Sequence, residues 1–269
     1  MAYLLDQMES GSIQIDNDVL VAEVDGRELR ADICHPADKT ELVPAIIFFP
    51  GGSWLSANRA NLKGRFGIPL ARRGYVCITG EYRVTEEAPW PAQIRDVQKY
   101  ISWTRYHSED LNIHPSKIAV AGKSAGGHLA LLAAGISQQL NTTLEDEIVL
   151  ANTTVNAVIG VSAVSNLAEV IGRSDLSPLL GANPTTEMID SANPIEQVTD
   201  KYPPTMLFHG TSDNRVHHSM SLRMYEKLEN NGIPTDLTLY AGQGHSFDSD
   251  PIFTESICDS IALFISRYL

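Results

Sequence analysis

The chain has 269 residues, the size of one α/β domain, and 43% hydrophobic with 20% charged residues is the balance of a chain with a real core, which excludes a disordered one. Twenty Lys and Arg stand against 33 Asp and Glu, a formal net charge of −13 at pH 7. A field of that sign repels phosphate backbones and anionic lipid, so neither nucleic acid nor a membrane surface is an expected partner.

Cys34, Cys77 and Cys258 are odd in number and far apart, with no CxxC to begin a zinc or redox site, and read as reduced structural thiols. The first residues carry no basic stretch followed by an apolar one, and no apolar run approaches the roughly 18 residues of a membrane span. The expectation is a cytoplasmic protein.

Short apolar runs alternate with longer amphipathic ones along the chain, the pattern of crossover units that build a mostly parallel sheet. Strands are expected at 19–24 and 29–34, which follow each other without a helix and so pair antiparallel. A strand at 45–49 precedes a helix at 62–73 that Pro69 should break. Then come strand 76–80, helix 92–107, strand 118–121, helix 125–138 and strand 157–161. After an interval come strand 205–209, helix 218–231, strand 236–240 and helix 252–268. The interval, 162–202, is too long for a plain crossover loop and is expected to form a small cap over the sheet edge within one domain, 1–269.

The segment Ile118-Ala-Val-Ala-Gly-Lys-Ser-Ala-Gly-Gly-His128 carries the chemistry. An apolar strand runs into Gly122-Lys-Ser-Ala-Gly126 and then into a helix, which is the setting that gives the G-x-S-x-G pattern its meaning. Small residues on either side permit a tight turn that presents the Ser124 hydroxyl at a helix N-terminus, where free N–H groups favour negative charge. A serine needs a base, ordinarily a histidine held by a carboxylate. His245, in Gly242-Gln-Gly-His-Ser246, follows the last expected strand, and Asp213 lies just past the strand before it. The order Ser124, Asp213, His245 is the one this architecture uses. Other histidines have duller readings; His209, for instance, simply ends a strand. Attack on a carbonyl also requires donors aimed at the developing oxyanion. The N–H groups of Ala125 and of Gly51 and Gly52, in the loop Pro50-Gly-Gly-Ser-Trp54, are the candidates. Trp54, Tyr82 and Trp90 are candidates for lining the substrate site. No His, Cys or Asp cluster suggests a metal, and no cofactor is expected.

With Glu81-Tyr-Arg83, Ala88-Pro-Trp-Pro-Ala92 and His209-Gly-Thr-Ser-Asp213 added, the chain from about Gly26 onward resembles the α/β-hydrolase superfamily. Within it the chain is similar to the hormone-sensitive-lipase-like carboxylesterases and to the acetylxylan and feruloyl esterase-like group. The resemblance implies an α/β-hydrolase fold, with a mostly parallel twisted sheet of about eight strands and helices on both faces. It also implies a serine carboxylesterase acting on short-acyl esters, acetylated or feruloylated carbohydrates among them. Two alternatives share the scaffold: an amidase of the aryl formamidase or acyl-peptidase kind, and a catalytically idle binding protein. The chain departs from the family's common His-Gly-Gly-Gly loop, having Pro50 in place of the His and Ser53 in place of the third Gly. Eighteen residues precede the first expected strand, which favours the smaller esterases over the lipase-like branch with its large N-terminal cap.

Overall fold

The computed structural model describes residues 12–38, 41–137, 152–170, 179–181 and 183–269. Eight strands among them form one sheet: β1 (Ile13–Val24), β2 (Arg27–Pro36), β3 (Val43–Phe49), β4 (Val76–Thr79), β5 (Ile113–Lys123), β6 (Ala157–Val161), β7 (Thr205–Gly210) and β8 (Thr235–Tyr240). Their spatial order is β1-β2-β4-β3-β5-β6-β7-β8. β1 pairs with β2, and β2 with β4, antiparallel, and every later pair is parallel. The order reverses around β3, so the loops leaving β3 and β5 diverge at the carboxyl edge and open a crevice there.

Side chains of the inner strands alternate between two cores, as a period of two requires. Ala45, Ile47 and Phe49 of β3 and Val120 of β5 face one core; Ile46, Phe48, Ala119 and Ala121 face the other. Because both faces are covered, these strands read as unbroken apolar runs. The first core is closed by helices α2 (Ala92–Tyr106), α3 (Ala125–Ile136) and α5 (Ser219–Asn230). The second is closed by α6 (Pro251–Tyr268) and by α1, a helical stretch made of Ala60–Leu62, Lys63–Gly67 and Ile68–Arg72.

Pro69 does not break α1 as expected. The turn Lys63–Gly67 winds as a π-helix, and Pro69 then falls in the first turn of the following α segment, where its missing N–H costs no bond. β5 also begins at Ile113, earlier than expected, and its pairing with β3 shifts register between Val43 and Ala45. A Pro-containing start hides such a strand from a period-two reading.

Of the stretch 162–202, residues 171–178 and 182 lie outside the described residues. The rest holds a short helix, α4 (Thr186–Ser191), between single 3₁₀ turns at Leu167–Glu169 and Pro194–Gln197. It seats on α3: the Tyr202 hydroxyl donates to the Leu131 carbonyl at 2.6 Å, and His128 Nε2 to the Ala192 carbonyl at 2.8 Å. Burial pushes the His128 imidazole down to about 4, so the ring is neutral at neutral pH and acts as a fixed donor.

Candidate active site

Ser124 stands between β5 and α3 with φ 52° and ψ −117°, a backbone conformation that L residues rarely hold. Its surroundings enforce that turn. The Ser124 N–H donates to the Val161 carbonyl at 2.9 Å, and a Cβ on Gly126 would lie 2.3 Å from the Phe49 carbonyl oxygen. Only glycine lets the first turn of α3 press so closely on the end of β3.

His245, from the loop after β8, places Nε2 3.0 Å from Ser124 Oγ and Nδ1 2.7 Å from Asp213 Oδ2. The carboxylate accepts only, so Nδ1 carries the proton, and Nε2 of the neutral ring accepts from the serine hydroxyl. The other carboxylate oxygen, Asp213 Oδ1, accepts from the N–H groups of Arg215 at 2.9 Å and Val216 at 3.0 Å. Burial works to raise the Asp213 carboxyl, but hydrogen bonds from His209 and His245, the positive charge His245 carries when protonated and the Val216 amide outweigh it and hold the group well below the usual carboxylate range.

His209 is a second imidazole on the same carboxylate, and sequence reasoning missed it. Fully buried at the end of β7, it donates from Nε2 to the Val216 carbonyl at 2.9 Å, with Asp213 Oδ2 3.3 Å away. Its Nδ1 meets Ser221 Oγ of α5 at 2.7 Å. The ring thus ties Asp213 and the turn after it to α5. Its signal in the sequence was the spacing of four residues between His209 and Asp213 at a strand end.

Gly51 and Gly52 lie beside the serine: a Cβ on Gly51 would meet Ser124 Cβ at 3.0 Å. Gly52 adopts φ +144°, and a Cβ there would lie 2.1 Å from the Ser56 carbonyl oxygen. Among the described residues, none of the backbone N–H groups of Gly51, Gly52 and Ala125 has a hydrogen-bond acceptor.

The structure corrects the reading of the aromatic residues. Trp54 and Tyr82 are each 1% exposed, and neither they nor Trp90 line the cleft over Ser124. Ser53 and Trp54 both take positive φ, 54° and 59°, which turns the Trp54 ring inward to sit edge-on against His128 at 5.3 Å. The Trp90 ring packs on the same imidazole at 6.3 Å. The Tyr82 hydroxyl donates to the Pro50 carbonyl at 3.0 Å and braces the loop from below. Pro50, with its fixed φ, and this tyrosine together restrain the backbone of the loop.

The cleft itself has a volume of ≈ 270 Å³. Besides Ser124, His245, Gly51 and Gly52, it is lined by Ser53, Ser56, Asn58 and Asn61 and by the cations Arg65, Lys123 and Arg215. Among the described residues, no group of three or more His, Cys, Asp or Glu is placed to hold a metal ion. No helix among them is long and apolar enough to cross a membrane.

The BD-FAE family model matches residues 31–228, well over half of the chain. The chain belongs to the BD-FAE family. Among curated proteins, esterase LipC of Mycobacterium tuberculosis is 30% identical over 245 residues, covering 85% of this chain and 59% of that protein. Isoprenylcysteine alpha-carbonyl methylesterase ICME of Arabidopsis thaliana is 25% identical over 239 residues, 83% of this chain and 55% of that one. The chain thus spans little more than half the length of these relatives. The solved structures agree on the α/β-hydrolase fold and match nearly end to end. A truncated carbohydrate esterase from gut microbiota superposes with TM-score 0.79 at 25% identity, covering 96% of this chain and 98% of that one. A thermophilic esterase of Thermogutta terrifontis, Est2, superposes with TM-score 0.77 at 27% identity, covering 96% and 93%. Est2 has also been solved with propionate and with butyrate bound. Ester hydrolysis is the activity these proteins have in common.

Proposed function

We propose that the protein is a serine carboxylesterase acting through Ser124, His245 and Asp213. The observation that carries this reading is the unbroken run of hydrogen bonds from Asp213 Oδ2 through the imidazole to Ser124 Oγ, at 2.7 and 3.0 Å. In the proposed reaction Ser124 Oγ bonds to the ester carbonyl carbon while its proton passes to His245 Nε2. The carbonyl oxygen becomes an oxyanion, and the free N–H groups of Gly51, Gly52 and Ala125 are the donors that receive it. As the carbon–oxygen bond to the alcohol breaks, His245 returns its proton to the leaving oxygen. Water, deprotonated by the same imidazole, then attacks the acyl-serine and releases the acid. Asp213 keeps its charge throughout, orients the imidazole and stabilises the imidazolium.

A cleft of ≈ 270 Å³ suits acetyl to butyryl groups better than long chains. Propionate and butyrate in Est2 support the same range. The hydroxyl and amide lining from Ser53 to Asn61 suits a polar alcohol, with carbohydrate esters as one such class. Three free buried thiols, Cys34, Cys77 and Cys258, support a reducing, cytoplasmic setting.

The test pairs chemical labelling with substitution. A fluorophosphonate should label the wild-type protein at Ser124, and Ser124→Ala should abolish labelling and lower kcat on 4-nitrophenyl acetate by about 1,000-fold or more with the fold unchanged. A Ser124→Ala variant keeping a tenth of wild-type turnover would remove the assignment. Faster hydrolysis of anilides or formyl-amides than of matched esters would move it to the amidases.

A further inference from the structure

The cleft over Ser124 has a charge opposite to that of the whole chain. Acidic residues outnumber basic ones by 33 to 20, yet the lining includes Arg65, Lys123 and Arg215 and no Asp or Glu. The carboxylate that answers two of these cations, Asp248, is fully buried behind the lining. Lys123 Nζ bonds to its Oδ1, and Arg65 bonds to its Oδ2 at 2.6 Å. With Asp213, whose charge also reaches Lys123, two buried carboxylates stand against three cations, which leaves one positive charge over beside the nucleophile.

The cation without a carboxylate of its own is Arg215. Its side chain is exposed and, among the described residues, has no carboxylate within ion-pair distance. Its backbone N–H is bound to Asp213 Oδ1, so the residue is anchored to the very group that orients His245. Pairing with Asp248 accounts for Arg65 and Lys123 but gives no reason for Arg215. Burial pushes the Lys123 ammonium down while Asp248 and Asp213 pull it up, so an anion arriving in the cleft meets a charge already stripped of much of its water. The developing oxyanion of any ester gains from cations held this way; a carboxylate within a few ångström of the scissile bond gains from them in addition, already in the bound substrate.

We propose that the ester this site takes carries a carboxylate close to the scissile bond, received by Arg215 and by the Lys123–Arg65 pair. The proposal rests on the esterase reading of the same site and adds the charge of its substrate.

Two matched pairs of esters test it and separate the two sides of the bond. 4-Acetoxybenzoate against 4-acetoxybenzamide places the carboxylate on the alcohol, and 4-nitrophenyl hemisuccinate against 4-nitrophenyl butyrate places it on the acyl group. In the first pair the carboxylate compound has the poorer leaving group, so a preference for it comes from the protein. At low salt, kcat/KM is expected to favour the anionic member of at least one pair by about tenfold. That preference should shrink as salt screens the charges. Arg215→Gln should lower the ratio severalfold. Arg267→Gln, which removes the same charge from the far end of α6 where Arg267 pairs with Asp236 at 2.8 Å, should leave it unchanged. Turnover of the neutral esters at the same rate as, or faster than, both anionic partners overturns the proposal and leaves the esterase reading standing. So does an equal fall of the ratio in the two variants, or fluorophosphonate labelling of Ser124 without turnover of either anionic ester. If no compound is hydrolysed and Ser124 is not labelled, the esterase reading fails and takes the proposal with it.

Discussion

Replacing His209 by glutamine separates holding Asp213 from doing chemistry. The imidazole is buried and spans three partners: the Val216 carbonyl at 2.9 Å, Ser221 Oγ at 2.7 Å and Asp213 Oδ2 at 3.3 Å. A glutamine side chain has one donor group and one acceptor but no ring to reach from α5 to the turn after β7, so at least one of the two short bonds is lost. A buried group left unpaired costs about 1–3 kcal/mol, and with the lost ring packing the variant should be about 2–4 kcal/mol less stable. Activity should suffer less. Asp213 keeps His245 at 2.7 Å and the two backbone donors at 2.9 and 3.0 Å, and gives up only its longest contact. A contact worth about 1 kcal/mol corresponds to a fall in kcat of about fivefold, with KM little changed. Urea unfolding followed by tryptophan fluorescence and the kinetics on 4-nitrophenyl acetate measure both effects. A loss of activity as large as that of Ser124→Ala in a folded variant would mean that His209 takes part in the reaction. Unchanged stability would mean that the three contacts do not form.

Asp213→Asn should lower kcat by up to about 10⁴-fold, because an amide can no longer hold His245 in the proton arrangement the reaction needs. The same variant bears on stability. The folded-state carboxyl is held below its unfolded value, so its contribution is present above the ordinary carboxylate range and is lost as pH falls through the folded value. Urea midpoints of the asparagine variant should therefore decline less steeply on acidification than those of the wild type; parallel declines would refute the coupling. Tyr82→Phe keeps the ring but deletes the hydroxyl that holds the Pro50 carbonyl, and should cost about 1 kcal/mol of stability and several-fold in kcat. A change confined to KM would contradict its role beneath the loop.

What the chain discloses before folding depends on how far apart the interacting groups lie along it. β3 and β6 are readable because both sheet faces are buried, so every residue from Ala45 to Phe49 and from Ala157 to Val161 is apolar or glycine. The π turn of α1 is not readable, since Pro69 announces only a missing donor and says nothing of how the preceding turn winds to place it. That Ser124, Asp213 and His245 meet was legible because each follows a strand of the parallel part of the sheet, whose carboxyl edge gathers the loops. Trp54 and Tyr82 were misread for a related reason: nearness to Pro50 and Ser124 in sequence or sheet order says nothing of which way a ring turns, and the positive φ of Ser53 and Trp54 turns one of them inward. His209 needed Ser221, which α5 brings back against β7. The charge of the cleft was the least legible feature of all. Arg65 and Lys123 lie 183 and 125 residues before the carboxylate they share, and a chain with 33 acidic residues offers many nearer partners. Only the return of the chain through the turn before α6 sets Asp248 behind both cations, so the sign of the site follows from the fold rather than from composition. A net charge therefore bounds which large polyanions the surface repels, while the charge a substrate meets is set by the few side chains that tertiary packing turns toward it.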